Sequence, residues 1–129
     1  MAGGKEYSGA VVEQDLAISV APAEAAALWR SGNALFVDVR RAYEREGGRI
    51  AGSDHVEMNE LSVRAAELPR DRTIVFYCRR GNRSLMAAEA FRQAGYQAHH
   101  IEGGLQAWVA EGLPLDPPGG VVRDPLPAS

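Results

Sequence analysis

The sequence predicts an α/β domain whose mostly parallel sheet, of about five strands, is covered by helices on both faces. Strand-like and helix-like stretches alternate along the chain. The strand-like stretches are short and apolar throughout, as in strands buried on both sides. With 129 residues, 46% of them hydrophobic, the chain suits one domain with a real core.

Taken in order, residues 1–16 show no clean periodicity and read as a loosely held arm. Ile18-Ser19-Val20 is a short strand candidate. Pro22 suits a first helical turn, Ala23–Arg30 are strong helix formers, and Gly32 stops them. Ala34–Val39 is an apolar run of strand length, followed by a helical turn near Ala42–Arg45 that Gly47-Gly48 ends. His55–Met58 reads as a further short strand, and Asn59 as the N-cap type opening a helix to Leu68. Pro69-Arg70-Asp71 is a turn. Thr73–Tyr77, β-branched and aromatic, is the clearest strand. A polar loop, Cys78 to Arg83, leads into a helix over Ser84–Ala94. His99-His100-Ile101 is expected to be an edge strand; paired histidines can bind a metal, but nothing nearby supplies a third ligand, so the two are read as exposed polar side chains. Gly103-Gly104 then opens a helix through Trp108 to Glu111, with Trp108 assigned to core packing. Five of the seven prolines follow Leu113, so residues 116–129 read as an extended Pro/Gly-rich tail and residues 17–115 as the domain.

Composition narrows the function. A net charge of −3 and a pI near 5.6 argue against a nucleic-acid partner. The sequence lacks the roughly 20 consecutive apolar residues of a membrane span, and the start MAGGKEYSGAVVEQD lacks the pattern of a secretory signal, so a cytoplasmic location is expected. The single cysteine excludes an internal disulfide, a CxxC pair and a cysteine-rich zinc site. Neither a cofactor nor a metal is called for.

The chemistry is expected at Cys78. It follows a buried strand, at the carboxyl edge where open α/β sheets place their ligands. Gly81 lets the next few residues curl so that amide N–H groups point inward, and the helix start adds more. Arg79, Arg80 and Arg83 supply three cations in an acidic chain, and Ser84 can satisfy first-turn amides. The predicted result is a concave anion site with a sulfur at its floor, an environment that favours thiolate. The alternative for a lone cysteine is a small buried hydrophobe; for the arginines it is a solvated loop.

Cys78-Arg79-Arg80-Gly81-Asn82-Arg83-Ser84 resembles the CRxGxRS active-site loop of the rhodanese family. Phe36–Arg40, Tyr43-Glu44 and Gly48–Ser53 resemble its DVR…E…GHIPGA signature. Gly103–Trp108 with Gly112-Leu113-Pro114 resembles its closing GGxxxW…GxP segment. The likeness runs from Ile18 to Leu115 and implies the family's three-layer fold. It also implies sulfur transfer by a ping-pong route, with Cys78 carrying a persulfide and Arg79, Arg80, Gly81, Asn82, Arg83 and Ser84 as its cradle. Asp38 and Arg40 resemble the pair that braces the site, or else a salt bridge joining two loops. Implied partners are a small anionic sulfur donor such as thiosulfate and a thiophilic acceptor such as cyanide, a small thiol or a thiol-bearing protein. Arg49 and Ala51 replace the family's His and Pro. Glu44 falls near an arginine that helps bind substrate in the two-domain thiosulfate enzymes, which argues against efficient use of thiosulfate.

Two rival functions remain. A phosphatase or arsenate reductase would also cradle an anion beside cysteine and arginine. However, Cys78 and Arg83 are separated by four residues where cysteine phosphatases use five, and no aspartic acid stands out as a general acid. A non-catalytic binding or regulatory module would be expected to lose the cysteine.

Overall fold

The computed structural model describes residues 16–125. The expected N-terminal arm, apart from Leu16, and the last four residues of the tail lie outside that range.

The elements are β1 (Ser19–Val20), α1 (Pro22–Ser31), β2 (Ala34–Asp38), α2 (Ala42–Gly47), β3 (Asp54–His55), α3 (Leu61–Arg64), β4 (Thr73–Tyr77), α4 (Asn82–Gln93), β5 (Ala98–Ile101) and α5 (Gly104–Ala110). All strand pairs are parallel, in the order β1-β5-β4-β2-β3. Central β4 is fully buried, which is why its sequence is apolar at every position instead of every second one. Alternate residues serve opposite faces. Ile74, Phe76 and Cys78 pack with Ala87, Ala88 and Phe91 of α4, while Val75 and Tyr77 pack with Ala25 and Ala26 of α1 and Leu105 and Trp108 of α5. Trp108 is sealed in that second layer, its indole N–H donating to the Pro114 carbonyl.

Strand order explains where a ligand can go. From β2 the chain moves outward to β3; from β4 it moves the other way, to β5. The connections therefore diverge at the carboxyl ends of β2 and β4 and leave a crevice there, as open α/β sheets do at a switch point.

Four sequence expectations need correction. β5 lies between β1 and β4 and is no edge strand, so His99 and His100 are buried. The helix expected from Asn59 to Leu68 is broken into 3-10 turns at Met58–Glu60 and Ala65–Glu67 around the single turn of α3. Only Leu61 and Leu68 in that stretch are buried, too few anchors to hold a continuous helix. The strand expected at His55–Met58 is paired as Asp54–His55, although Val56 and Met58 still donate to the Asp38 and Val39 carbonyls.

The fourth correction concerns the tail, which is extended but packed on the domain. Asp116 and Arg49 exchange backbone hydrogen bonds, Val121 N–H donates to the Gly47 carbonyl, and Arg123 lies over the Tyr43 ring, 4.5 Å from its centroid. Gly47 and Gly48 make this possible: a Cβ on Gly47 would stand 2.7 Å from the Arg123 side chain, and one on Gly48 would stand 2.9 Å from the Val121 carbonyl. The pair that the sequence presents as a helix stop is also the seat of the tail. Among the described residues, no helix is long and apolar enough to cross a membrane.

Candidate active site

Cys78 follows β4 directly, at the head of the crevice. The N-terminus of α5 holds the loop after it, with Leu105 N–H donating to the Cys78 carbonyl (2.8 Å) and Gln106 N–H to the Arg79 carbonyl (3.0 Å). Such close approach requires Gly104, where a Cβ would lie 2.5 Å from the Arg79 carbonyl oxygen. With the Cys78 and Arg79 carbonyls held by α5, two amides further along meet the sulfur. Gly81, at φ +107°, donates its N–H to Cys78 Sγ at 3.1 Å, and Ser84 N–H donates at 3.4 Å. The helix begins at Asn82, two residues earlier than expected, so Ser84 lies inside its first turn. Its hydroxyl does not cap amides; it lies 3.4 Å from Sγ, 3.3 Å from the Gly81 carbonyl and 2.9 Å from His100 Nδ1.

Cys78 is only 1% exposed, yet it lies at a pocket of about 250 Å³ lined also by Arg79, Arg80, Asn82, Arg83 and Pro125. Burial by itself fits a packing atom; two amide donors on the sulfur do not.

The three arginines are not three free cations. Arg83 makes a bidentate pair with Glu44 at 2.8 and 2.9 Å. Arg79 pairs with Asp124 of the tail, while its buried Nε finds no partner among the described residues. Arg80 forms no ion pair among the described residues. Burial tends to raise the Glu44 pKa, but the Arg83 and Arg41 hydrogen bonds and the Arg83 and Arg40 charges outweigh it and leave it below the ordinary carboxylate value. The pair with Glu44 in turn raises that of Arg83.

Asp38 and Arg40, both fully buried, are joined by two side-chain hydrogen bonds of 2.9 and 2.7 Å and by the Arg40 backbone N–H, which donates to Asp38 Oδ1 at 2.9 Å. Arg40 continues to the Gly48 carbonyl, and Arg45 approaches Asp38 Oδ2 at 3.2 Å. The Asp38–Arg40 pair thus ties the end of β2 to the far end of α2, and Arg40 makes no direct contact with the sulfur. Tyr77 completes this floor, its hydroxyl accepting the Ile50 N–H and meeting Ser53 Oγ at 2.9 Å; burial and the Asp38 charge push its pKa up to about 12.

Sequence reasoning missed Glu44 as the partner of Arg83, Asp124 as the partner of Arg79, and His100 behind Ser84. For His100 a signal existed. Ala98 belongs to the face of α4, so strand parity puts His100 there too, opposite Phe76 in register. His99 is likewise engaged, its Nδ1 meeting the Ala17 carbonyl at 2.7 Å.

The profile of the rhodanese-like domain matches residues 21–111. The chain belongs to that family. A sulfurtransferase of Allochromatium vinosum is 38% identical to this rhodanese-like chain over 87 residues, 67% of it and 81% of the relative. A rhodanese-related protein of Thermoplasma volcanium superimposes on this rhodanese-like domain with a TM-score of 0.72 at 31% identity, over 83% of this chain and 100% of that one. A Rhodopseudomonas palustris protein described as a possible tyrosine phosphatase reaches 0.69 at 27% identity, over 90% and 99% of the two chains.

Proposed function

We propose that this rhodanese-like domain is a sulfurtransferase that carries sulfane sulfur as a persulfide on Cys78. The observation behind the reading is the pair of amide N–H groups, from Gly81 and Ser84, that converge on the sulfur of Cys78, a residue that lines a pocket. Donors so placed favour a charged sulfur over a neutral one.

In the first half-reaction the Cys78 thiolate attacks the outer sulfur of thiosulfate; a sulfur–sulfur bond forms to Cys78, the original one breaks, and sulfite leaves with the electron pair. Arg80 and the unpartnered Nε of Arg79 are donors for the sulfonate oxygens. The negative charge then rests on the terminal persulfide sulfur. In the second half an acceptor, cyanide or a thiolate, attacks that sulfur and returns Cys78 as thiolate. A persulfide on another molecule can replace thiosulfate as donor, and a protein thiol can replace cyanide as acceptor.

Phosphate-ester hydrolysis, the reading that the Rhodopseudomonas palustris likeness invites, needs an arginine turned to the substrate. Glu44 occupies Arg83 bidentately, which disfavours it. The test is to incubate the protein with thiosulfate, remove the excess, and record intact mass and thiocyanate release on adding cyanide. One added sulfur on the wild type and none on Cys78→Ser is expected. No gain with thiosulfate or with persulfide donors, or Cys78-dependent cleavage of an aryl phosphate, would defeat the proposal.

A further inference from the structure

We propose that His100 is a positioning residue for Cys78, aiming the Ser84 hydroxyl at the sulfur and giving the thiol proton a way out through Ser19. This rests on the reading of Cys78 as nucleophile. The basis is a continuous run of polar contacts across four elements. Cys78 Sγ, after β4, lies 3.4 Å from Ser84 Oγ on α4; Ser84 Oγ lies 2.9 Å from His100 Nδ1 on β5; His100 Nε2 lies 2.8 Å from Ser19 Oγ on β1. Ser84 is fully buried and His100 is 4% exposed, whereas Ser19 stands half-buried on the edge strand.

A serine hydroxyl has one proton to give. That of Ser84 has the ring at 2.9 Å, the Gly81 carbonyl at 3.3 Å and the sulfur at 3.4 Å within reach, so the state of the nearest, the ring, biases where it points. With Nδ1 bare, the hydroxyl donates to the ring and accepts from an S–H. With Nδ1 protonated, the ring donates to Oγ and the hydroxyl proton turns to a thiolate or persulfide anion. The two arrangements differ by one proton. On ionisation the S–H bond breaks and Ser84 Oγ gains that proton while passing its own to Nδ1. Nε2 passes its proton to Ser19, which releases one to water. The ring ends neutral, with Nε2 accepting from Ser19.

A neutral ring suits its surroundings. Burial holds the His100 pKa below the ordinary histidine value, although Glu102 after β5 and Glu89 of α4 act the other way. Arg79, Arg80 and Arg83 line the pocket beside the sulfur, while the two ring nitrogens meet Ser84 and Ser19. Every polar atom of the run thereby has a partner in both states.

Because the chain has one cysteine, the pH profile of its alkylation by iodoacetamide reads this run without any sulfur donor. A wild type that takes no sulfur therefore leaves this test standing, and an unmoved profile leaves sulfur transfer standing. A charge-assisted hydrogen bond is worth enough to move a titration by about one pH unit. His100→Leu should raise the midpoint by about that much. His100→Asn, whose side-chain amide can donate to Ser84, should recover most of it, an outcome that a purely structural role would not produce. Ser84→Ala should match His100→Leu, and the double variant should go no further than either. Ser19→Ala should move the midpoint the same way by about a third as much. Circular dichroism and melting establish that each variant folds; if His100→Leu does not, Ser19→Ala and Ser84→Ala decide. Unmoved midpoints in those two, or full additivity in the double variant, overturn the proposal.

Discussion

At the end of β2, buried Asp38 meets two guanidinium groups, that of fully buried Arg40 and that of half-buried Arg45, and Arg40 runs on to the Gly48 carbonyl. At the end of β4, one strand away, the sulfur is met by two amides and a hydroxyl, and among the described residues no charged group is hydrogen-bonded to it. Formal charges at the first end are spent on one another. At the second they are held one residue back, and Glu44 joins the two by gripping Arg83. The contrast teaches a division of labour. Buried ion pairs fix the shape of the crevice, and uncharged donors, which need no counter-ion, are left for a group whose charge appears and disappears during reaction.

That contrast can be broken by substitution. Arg40→Met leaves Asp38 short of its main partner in a dry site, and urea unfolding followed by tryptophan fluorescence should show a loss of about 3–5 kcal/mol. Cys78→Ser should abolish sulfur loading while shifting stability by no more than about 1 kcal/mol. If the two variants behaved alike in both assays, the division between scaffold and chemistry would be wrong.

Glu44→Gln sharpens it at the link. Freeing Arg83 should cost about 1 kcal/mol, less than a fully buried pair because Arg83 is 30% exposed. The released guanidinium should then lower the KM for thiosulfate by about three- to tenfold, roughly the net worth of one hydrogen bond at a part-exposed site. An unchanged KM would place Arg83 away from the donor.

Acid tests the same carboxylate. Glu44 has a folded pKa below the ordinary 4.5, so its contribution is complete above about pH 4.5 and is lost as pH falls through the folded value. Wild type should therefore lose stability below that pH more steeply than Glu44→Gln. His99 and His100 act at higher pH. Burial chiefly lowers both below 6.5, so the unfolded chain binds more protons and stability should decline as pH drops beneath that value. A flat stability profile between pH 5 and pH 7 would contradict their being neutral in the fold.

The smallest effect is expected at the tail. Asp124 is 79% exposed, so its pair with Arg79 adds little stability. Asp124→Asn should speed thiosulfate uptake by no more than about threefold at low salt, and the gain should vanish near 1 M salt.

Much of this was legible in the chain. Thr73–Tyr77 announces a strand buried on both faces, Gly81 a turn that only glycine makes easily, and Cys78 a position at the end of that strand, because each rests on local geometry or on side-chain chemistry. Helix α3 was not legible, since its local propensity for a longer helix was overruled by a shortage of buried anchors. Nor was the tail, whose prolines advertise extension whether or not it is seated on Gly47 and Gly48.

By itself the sequence determined the layered α/β architecture and the cysteine at a strand end, which follow from periodicity and short-range order, and the family, which follows from resemblance in three separated motifs. Only the tertiary structure decided who pairs with whom: Arg83 with Glu44, 39 positions away, Arg79 with Asp124, and His100 with Ser84 and Ser19. Those partners meet because parallel strands bring distant segments to one sheet edge. Charge and hydroxyl content along the chain carry no record of which of many candidates the sheet order will place within reach.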